Sequence, residues 1–189
     1  MNILITGASR GLGKEMARIL MEKGHTVLCP PRTIMDVTND ATIFKTRDIY
    51  TDTYGHIDLL INNAGGLKTG FYDHMALNAR APWSVTLKFW PLLVKNKGRV
   101  INISSREGLS GDSFGNRLYS VSKAALNAVT RMQAKNEDGV CINACCPGPF
   151  DSSSAAECYN AADTPIWMAL EMDRSITGKF FINRQVVPW

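Results

Sequence analysis

Apolar and polar positions follow two patterns along this chain of 189 residues. Short, continuous apolar runs, namely NILIT, HTVLC, IDLLIN, RVINIS and VCINACC, predict buried strands. Between them, apolar residues at helical spacing predict helices over residues 14–23, 41–54, 73–94 and 119–135. Apolar strands that alternate with helices predict a doubly wound α/β fold, with a mostly parallel sheet and helices on both faces.

Length and composition place further bounds on this prediction. The length suits a single domain over residues 1–189, and a content of 45% hydrophobic and 20% charged residues is typical of a globular protein. No apolar run approaches the roughly 18 residues of a membrane span. The opening MNILITGASRGLG does not resemble a signal peptide. We therefore expect a cytoplasmic protein without a membrane partner.

Charge and cysteine spacing exclude other classes of function. The net charge is only +4, and the tight basic cluster Lys95, Lys97 and Arg99 surrounds Gly98 at a predicted helix end. Basic residues and glycine favour a helix C-terminus, so we expect no nucleic-acid partner. The five cysteines are odd in number and lack CxxC spacing, which predicts reduced thiols and no metal site.

The stretch TGASRGLG lies between a predicted strand and a predicted helix. Glycines at such a turn allow main-chain N–H groups to approach a pyrophosphate at the helix N-terminus. Gly7, Gly11 and Gly13 therefore predict a dinucleotide site. A glycine triplet alone is a weak signal, and a tight loop without a ligand is the alternative.

The end of the second strand indicates which dinucleotide binds. NAD-binding units place an acid there, about 20 residues beyond the glycines, to hold the ribose 2′-hydroxyl. Here the segment is CPPRT, so Arg32 and Arg10 are available to pair with a 2′-phosphate. The segment therefore favours NADP over NAD. Asp36 lies four residues further on and remains a candidate for the NAD-type acid.

Tyr119 and Lys123 are four residues apart on a predicted helix and so share one of its faces. A phenol with a pKa near 10 transfers protons poorly at neutral pH, whereas a nearby ammonium favours the phenolate and lowers that pKa. The pair predicts a general acid in carbonyl reduction and a general base in alcohol oxidation. The same spacing also arises by chance on amphipathic helices.

Five motifs in order resemble the short-chain dehydrogenase/reductase family along nearly the whole chain. They are TGASRGLG at the cofactor turn, DVT at the adenine pocket, NNAG on the central strand, YSVSK as the catalytic YxxxK, and CCPGPFDSS beside the nicotinamide. Each motif is loose, but their combination and order are specific. The tail from ADTPIW onward is most similar to carbonyl-reductase-like members.

The resemblance implies four catalytic residues. Tyr119 is the expected proton donor or acceptor, and Lys123 is expected to lower its pKa and bind the nicotinamide ribose. The serine three residues before glycine in INISSREG is Ser105, which is expected to hold the substrate oxygen, with Ser104 as the alternative. Asn78 in HMALNARAPW matches the asparagine of a water-mediated proton relay, and the alternative is a solvated helix residue.

The resemblance also implies a set of cofactor-binding residues. For three residues a purely structural role stays open instead. The alternative for Asn62 and Asn63 is that they only tie neighbouring strands, and the alternative for Pro147 is that it only ends a strand. The expected cofactor-binding residues are Gly7, Ser9, Arg10, Gly11, Leu12, Gly13, Arg32, Asp36, Val37, Asn63, Ala64, Gly65, Tyr119, Lys123, Pro147, Gly148, Phe150 and Ser152.

The chain departs from the family where it is shortened. CPPRTIM runs straight into DVT, so the helix and edge strand that follow strand two in the family are missing, and the segment after Ser152 is short. Two functions therefore compete. One is a reductase or dehydrogenase acting on a ketone, aldehyde or secondary alcohol. The other is a trimmed relative that binds nucleotide as a regulatory or structural module.

Aromatic and apolar residues outside these motifs suggest two further surfaces. Phe71, Tyr72, Phe114 and Tyr159 are candidates for a substrate pocket wall or for the core. The stretches APWSVTLKFWPLLV and LYSVSKAALNAVTRM carry more apolar surface than one sheet face would cover. They predict a helix bundle between two copies, in a homodimer or homotetramer. The alternative is that Trp83, Phe89 and Trp90 all pack on their own sheet.

Overall fold

The computed structural model describes residues 1–110 and 117–189. In these ranges seven strands form one sheet in the order β2-β1-β3-β4-β5-β6-β7. Neighbouring strands are parallel except β6 and β7, which pair antiparallel. The strands are β1 (Asn2–Ile5), β2 (Thr26–Leu28), β3 (Leu59–Asn62), β4 (Arg99–Ile103), β5 (Cys141–Cys146), β6 (Phe180–Ile182) and β7 (Gln185–Val187). The predicted fold class is confirmed.

Helices connect the strands and cover the sheet. The four predicted helices are present, together with short helices that the apolar pattern did not indicate. The helical elements are α1 (Gly11–Glu22), α2 (Asp40–Tyr54), α3 (Phe71–Met75), a π-helical turn (Ala76–Arg80), α4 (Ala81–Val94), α5 (Glu107–Ser110), α6 (Arg117–Gln133), α7 (Ala155–Ala161) and α8 (Asp163–Leu170). None of the helices in the described ranges is long and apolar enough to cross a membrane.

Alternate strand residues point to opposite faces of the sheet and fill two cores. Ile3, Ile5 and Ile101 belong to the core beneath α1 and α8. Leu4 and Val100 belong to the core on the opposite face, beneath α2 and α4. This explains why the strands read as continuous apolar runs, since both of their faces are covered.

The shortened connection after β2 leaves that strand at the edge of the sheet. In the described residues no strand lies beyond β2, as the sequence predicted. Met35 and Val37, from the connection itself, are buried against Leu28. The connection therefore closes this end of the core, and Asn39 then caps α2 by accepting a hydrogen bond from the main-chain N–H of Ala41 at 3.0 Å.

The basic cluster that follows α4 does not lie wholly at the end of that helix, because Arg99 contacts α8 instead. The N–H of Gly98 donates to the carbonyl of Leu93 at 2.8 Å and ends α4, as expected. Arg99 instead turns inward, where it is buried and donates to the carbonyls of Met168 and Met172 at the end of α8. Its charge therefore lies at the C-terminus of α8 instead of α4.

Candidate active site

The glycine turn after β1 is pressed against the loop after β3. Gly7 has φ +67°, and a Cβ at this position would lie 2.8 Å from Cα of Ala64. A Cβ on Gly13 would lie 2.5 Å from the carbonyl oxygen of Gly7, and closer still to the Asn63 side chain. Both positions therefore require glycine, because any side chain would separate α1 from the two loops.

The two asparagines of NNAG hold neighbouring strands together. Nδ2 of Asn63 donates to the carbonyls of Thr6 and Gly7 at 2.9 and 3.0 Å. Nδ2 of Asn62 donates to Oδ1 of Asn102 on β4 at 2.9 Å. Both asparagines therefore tie neighbouring strands, and the bonds of Asn63 also shape the turn where the pyrophosphate is expected.

The start of α1 is open and positively charged. Arg10 is its N-cap residue, and in the described part of the chain the Arg10 side chain makes no capping hydrogen bond. Ser9 and Arg10 are exposed, whereas Leu12 is buried in the core. Free N–H groups at the start of a helix of this length suit an anionic group. These residues therefore fit a pyrophosphate.

The loop after β5 reaches the same turn. A Cβ on Gly11 would lie 3.1 Å from Cβ of Ser152, so the two loops are in close contact. Pro147 directly follows β5, Gly148 has φ +85°, and Phe150 packs against the core beneath α1. The predicted cofactor residues after β1, β3 and β5 therefore meet at one edge of the sheet.

Arg32 and Asp36, the two candidates for the ribose site, bind each other. Nε of Arg32 donates to Oδ2 of Asp36 at 3.0 Å, while the Arg32 side chain remains 79% exposed. Oδ1 of Asp36 accepts from the main-chain N and the hydroxyl of Thr38 at 2.9 and 2.7 Å. The bond from Thr38, and then Arg32, hold the pKa of Asp36 below its usual range. Val37, by contrast, is buried in the core.

Lys123 is buried at the carboxyl end of β4. Its Nζ donates to the carbonyl of Ile103 at 2.8 Å and lies 5.5 Å from the centre of the Tyr119 ring. Burial lowers the pKa of Lys123 from 10.5 to about 8, because the charged form loses solvation. The predicted pair on α6 is therefore assembled, with the ammonium beneath the phenol.

The structure distinguishes the two candidate serines. The hydroxyl of Ser104 is buried and donates to Oδ1 of Asn127 on α6 at 2.6 Å, which is a structural contact. Ser105 lies one residue further on, and its side chain hydrogen-bonds to Tyr119. Ser105, and not Ser104, therefore adjoins the phenol.

Asn78 lies in the π-helical turn, where the apolar pattern predicted regular helix. It is fully buried, and its side chain accepts from the N–H of Gly66 and donates to the carbonyl of Gly66, each at 2.9 Å. It also donates to the Ser122 hydroxyl at 3.0 Å. A Cβ on Gly65 would lie 3.1 Å from Oδ1 of Asn78 and 3.5 Å from Nζ of Lys123, so the three residues converge. π-Helical turns recur at functional sites.

Burial dominates the electrostatics of Tyr119. Burial and, after it, the charge of Glu107 raise the pKa of Tyr119 to about 12, although the side-chain hydrogen bond with Ser105 opposes the shift. The sequence predicts that Lys123 lowers this pKa, but in this structure the net shift is upward. Glu107 was not among the predicted site residues, because its proximity to Tyr119 depends on how α5 docks on α6.

The aromatic candidates for a pocket wall lie at the surface. Tyr72 is 84% exposed, and Phe71 and Tyr159 are exposed as well, so none of these three fills the core. Phe114 lies outside the described residues. Ser122 was also missed as a site residue, although it stands inside the quoted YSVSK and binds Asn78.

A glycine turn opening onto a helix N-terminus, at the carboxyl ends of parallel strands, defines a Rossmann-type dinucleotide-binding protein. The family model for short chain dehydrogenase matches residues 32–163. An uncharacterized oxidoreductase of Thermotoga maritima is 31% identical in a match that covers 94% of this chain and 82% of that protein. Oxidoreductase UcpA of Salmonella typhimurium is 29% identical in a match that covers 92% of this chain and 79% of that protein.

Solved structures show the same likeness. An oxidoreductase of Brucella ovis, described as a short chain dehydrogenase/reductase, is 25% identical with a TM-score of 0.82, covering 96% of this chain and 99% of that one. The chain therefore belongs to the short-chain dehydrogenase/reductase family, as the motifs indicated. It is an NAD(P)-dependent oxidoreductase of that family.

Proposed function

We propose that residues 1–189 form one domain that interconverts a small ketone or aldehyde with its alcohol, with Tyr119 as the proton-transfer residue. The observation that carries this proposal is the convergence of Tyr119, Ser105 and Lys123 at the carboxyl end of β4. When bound, the nicotinamide supplies or accepts a hydride. The protein must therefore hold the substrate oxygen and move one proton.

Each side chain has one task in this proposal. The Tyr119 hydroxyl donates its proton to the carbonyl oxygen during reduction and accepts it back during oxidation. The Ser105 hydroxyl, already bonded to Tyr119, orients the same oxygen. Lys123 places positive charge under the phenol ring and favours the phenolate that remains after proton donation.

Asn78 is proposed to connect this site with solvent. Its side chain and Nζ of Lys123 both adjoin Gly65, in the loop after β3. A water bound between them would let Lys123 return a proton to Tyr119. This is the relay that the family resemblance implies, and the full burial of Asn78 argues against a merely solvated helix residue.

Substitution of Tyr119 tests the assignment. Tyr119→Phe removes only the hydroxyl, so turnover of NADPH with a panel of small carbonyls should fall roughly 10²- to 10⁴-fold, with little change in nucleotide affinity. Tyr54→Phe, at the C-terminal end of α2, is the matched control and should turn over normally. Near-normal turnover in Tyr119→Phe would refute the role.

The competing function gives a different result in the same assay. A regulatory or structural module would bind NADPH or NADH in the wild-type chain but turn over no carbonyl or alcohol in the panel. The assembled Tyr119, Ser105, Lys123 and Asn78 favour the enzyme, since a binding module has no need of them.

NADP is the proposed cofactor. Arg10 and Arg32 are both exposed, and guanidinium groups match phosphate geometry. The ion pair of Arg32 with Asp36 is at the surface, where such pairs contribute only about 0–1 kcal/mol, so a 2′-phosphate can displace the carboxylate. If the cofactor is NAD, which is the alternative left open by the sequence, Asp36 would bind the ribose hydroxyls.

The proposed assembly is a homodimer or a homotetramer. Between the π-helical turn, α4 and α6 lies an apolar groove of about 670 Å³, lined by residues that include Trp83 and Met132. These two side chains are 38% and 56% exposed, whereas Phe89 is fully buried against the sheet. Trp90 is half-buried and donates from Nε1 to Asp138 at 2.8 Å. Trp83 and Met132 therefore leave apolar surface uncovered, which supports the proposed bundle between two copies.

A further inference from the structure

His74, on α3, is a histidine whose two ring nitrogens both contact the main chain of the preceding loop. The residue is fully buried. Its Nε2 accepts a hydrogen bond from the main-chain N–H of Lys68 at 3.1 Å. Its Nδ1 lies 2.9 Å from the carbonyl oxygen of Gly70, which also accepts from the main-chain N–H of His74 at 3.1 Å. The imidazole therefore ties the loop before α3 at two points.

The two partners determine which ring nitrogen of His74 carries the hydrogen. A main-chain N–H can only donate, and a carbonyl oxygen can only accept. Nε2 must therefore present its lone pair to Lys68, and Nδ1 must carry the hydrogen that is donated to Gly70. An imidazole with hydrogen on Nδ1 alone is the form that satisfies both contacts.

Asn78 holds the same loop one helical turn further along the chain. His74 and Asn78 are four residues apart, both are fully buried, and both contact this loop. Asn78 accepts from the N–H of Gly66 and donates to the carbonyl of Gly66. In the part of the chain that the structure describes, no hydrogen bond between two main-chain groups involves residues 66–69. The order of this loop therefore depends on the two side chains.

The segment between β3 and α3 adjoins both the glycine turn and the buried lysine. A Cβ on Gly7 would lie 2.8 Å from Cα of Ala64. A Cβ on Gly65 would lie 3.5 Å from Nζ of Lys123. Movement of the loop that follows would disturb these contacts and would also break the hydrogen bonds that orient Asn78. The order of the loop is therefore relevant to both nucleotide binding and turnover.

We propose that His74 is a positioning residue, which holds the loop of residues 66–70 in place through an imidazole with its hydrogen on Nδ1 and so keeps the cofactor site and Asn78 ordered. The effect on nucleotide binding requires only that the chain binds the cofactor of its family. The effect on turnover, through Asn78, rests on the proposed function.

The form of the imidazole is tested by nitrogen NMR of the full chain with labelled histidine, at slightly alkaline pH. The chain has three histidines, and the signals that disappear in His74→Gln belong to His74. A ring nitrogen with a lone pair and one that carries hydrogen resonate far apart, so the spectrum distinguishes the two tautomers. We expect hydrogen on Nδ1 alone. Hydrogen on Nε2, or on both nitrogens, would overturn the proposal.

Three substitutions separate the two ring contacts. His74→Gln places an amide oxygen near the position of Nε2, His74→Asn places an amide nitrogen near that of Nδ1, and His74→Leu offers neither. Hydrogen exchange at the N–H of Lys68 should be roughly 5- to 100-fold faster in His74→Leu and His74→Asn, and His74→Gln should restore most of the protection. If the N–H of Ile101 in β4 becomes faster by the same factor, the effect is global and the proposal fails.

Nucleotide binding measures the consequence for the cofactor site. The probe is NADPH or NADH, whichever the wild type binds more tightly. His74→Leu should weaken its binding roughly three- to tenfold, because only chains with an ordered loop bind it, and His74→Gln should bind it more tightly than His74→Leu. His25→Leu, just before β2 at the opposite edge of the sheet, is the control and should bind like the wild type.

The outcomes distinguish this role from the proposed function. The proposal is overturned if His74→Leu binds nucleotide like His25→Leu, or if His74→Gln is no better than His74→Leu. Turnover of His74→Leu at saturating nucleotide should fall, and an unchanged value would refute the effect on Asn78. If the wild type has no turnover but exchange and binding respond as expected, the proposed function fails and the role of His74 at the cofactor site stands. Should His74→Leu not fold, His74→Asn takes its place under the same criteria.

Discussion

Replacing Lys123 by methionine should stabilise the fold at neutral pH while abolishing the proposed activity. Burial lowers the pKa of Lys123 from 10.5 to about 8. Each pKa unit corresponds to about 1.4 kcal/mol, so keeping the buried ammonium charged costs about 3 kcal/mol of folding free energy below pH 8. Methionine fills a similar volume without this cost.

The lost hydrogen bond offsets part of this gain. Nζ of Lys123 donates to the carbonyl of Ile103 at 2.8 Å, and leaving that carbonyl without a donor costs about 1–3 kcal/mol. We therefore expect Lys123→Met to gain up to about 2 kcal/mol in the free energy of unfolding near pH 7.

The pH dependence is the sharper test. Between the folded pKa of about 8 and the unfolded value of 10.5, the unfolded chain binds the proton and the folded chain does not. Wild-type stability therefore contains a component that rises with pH across this window, and the variant lacks it. Its advantage should shrink by about 2 kcal/mol between pH 7 and pH 9.5.

Urea unfolding at several pH values, followed by circular dichroism, measures both the gain in unfolding free energy near pH 7 and its decrease at higher pH. Lys45→Met, at an exposed position on α2, is the control and should differ from the wild type by a constant amount. A difference between Lys123→Met and the wild type that does not change with pH would show that the buried lysine bears no desolvation cost, and would refute the reasoning.

Three further outcomes are expected. Gly13→Ala should lose about 1–3 kcal/mol of unfolding free energy, because its Cβ would meet the Asn63 side chain. Gly24→Ala, where the Cβ would meet open space, should cost only about 1–2 kcal/mol through its positive φ and leave NADPH binding unchanged. Arg32→Ala should weaken NADPH by about 1.5–3 kcal/mol in a binding titration and spare NADH; tighter binding of NADH by the wild type would contradict this. Light scattering should give a multiple of 20.8 kDa for the wild type and a reduced mass for Trp83→Glu, whereas a monomeric wild type would eliminate the bundle.

The local features of this protein were determined by its sequence. Runs such as NILIT and RVINIS have apolar residues at every position, and this pattern alone predicts strands covered on both faces. The glycines of TGASRGLG and the spacing of Tyr119 and Lys123 act over a single turn of chain. The missing edge strand was also readable, because CPPRTIM leaves no residues from which to build it.

Helix periodicity did not predict the π-helical turn or the outward direction of Trp83. An apolar face is compatible with regular or π-helical geometry, so the pattern did not indicate that the turn carrying Asn78 is π-helical. Phe89 and Trp83 are equally apolar in the pattern, yet one is fully buried and the other partly exposed. Which side of α4 faces the sheet depends on packing between elements.

The charges around the site were decided by the tertiary structure alone. Glu107 and Tyr119 are separated along the chain, and Glu107 acts on the phenol because α5 packs closely on α6 at Gly108. The sequence correctly brought Lys123 to Tyr119, but the shift in the pKa of the phenol depends on its burial. Solvation and the distances between charges depend on how the whole chain folds, so the spacing of residues along one helix determines them only in part.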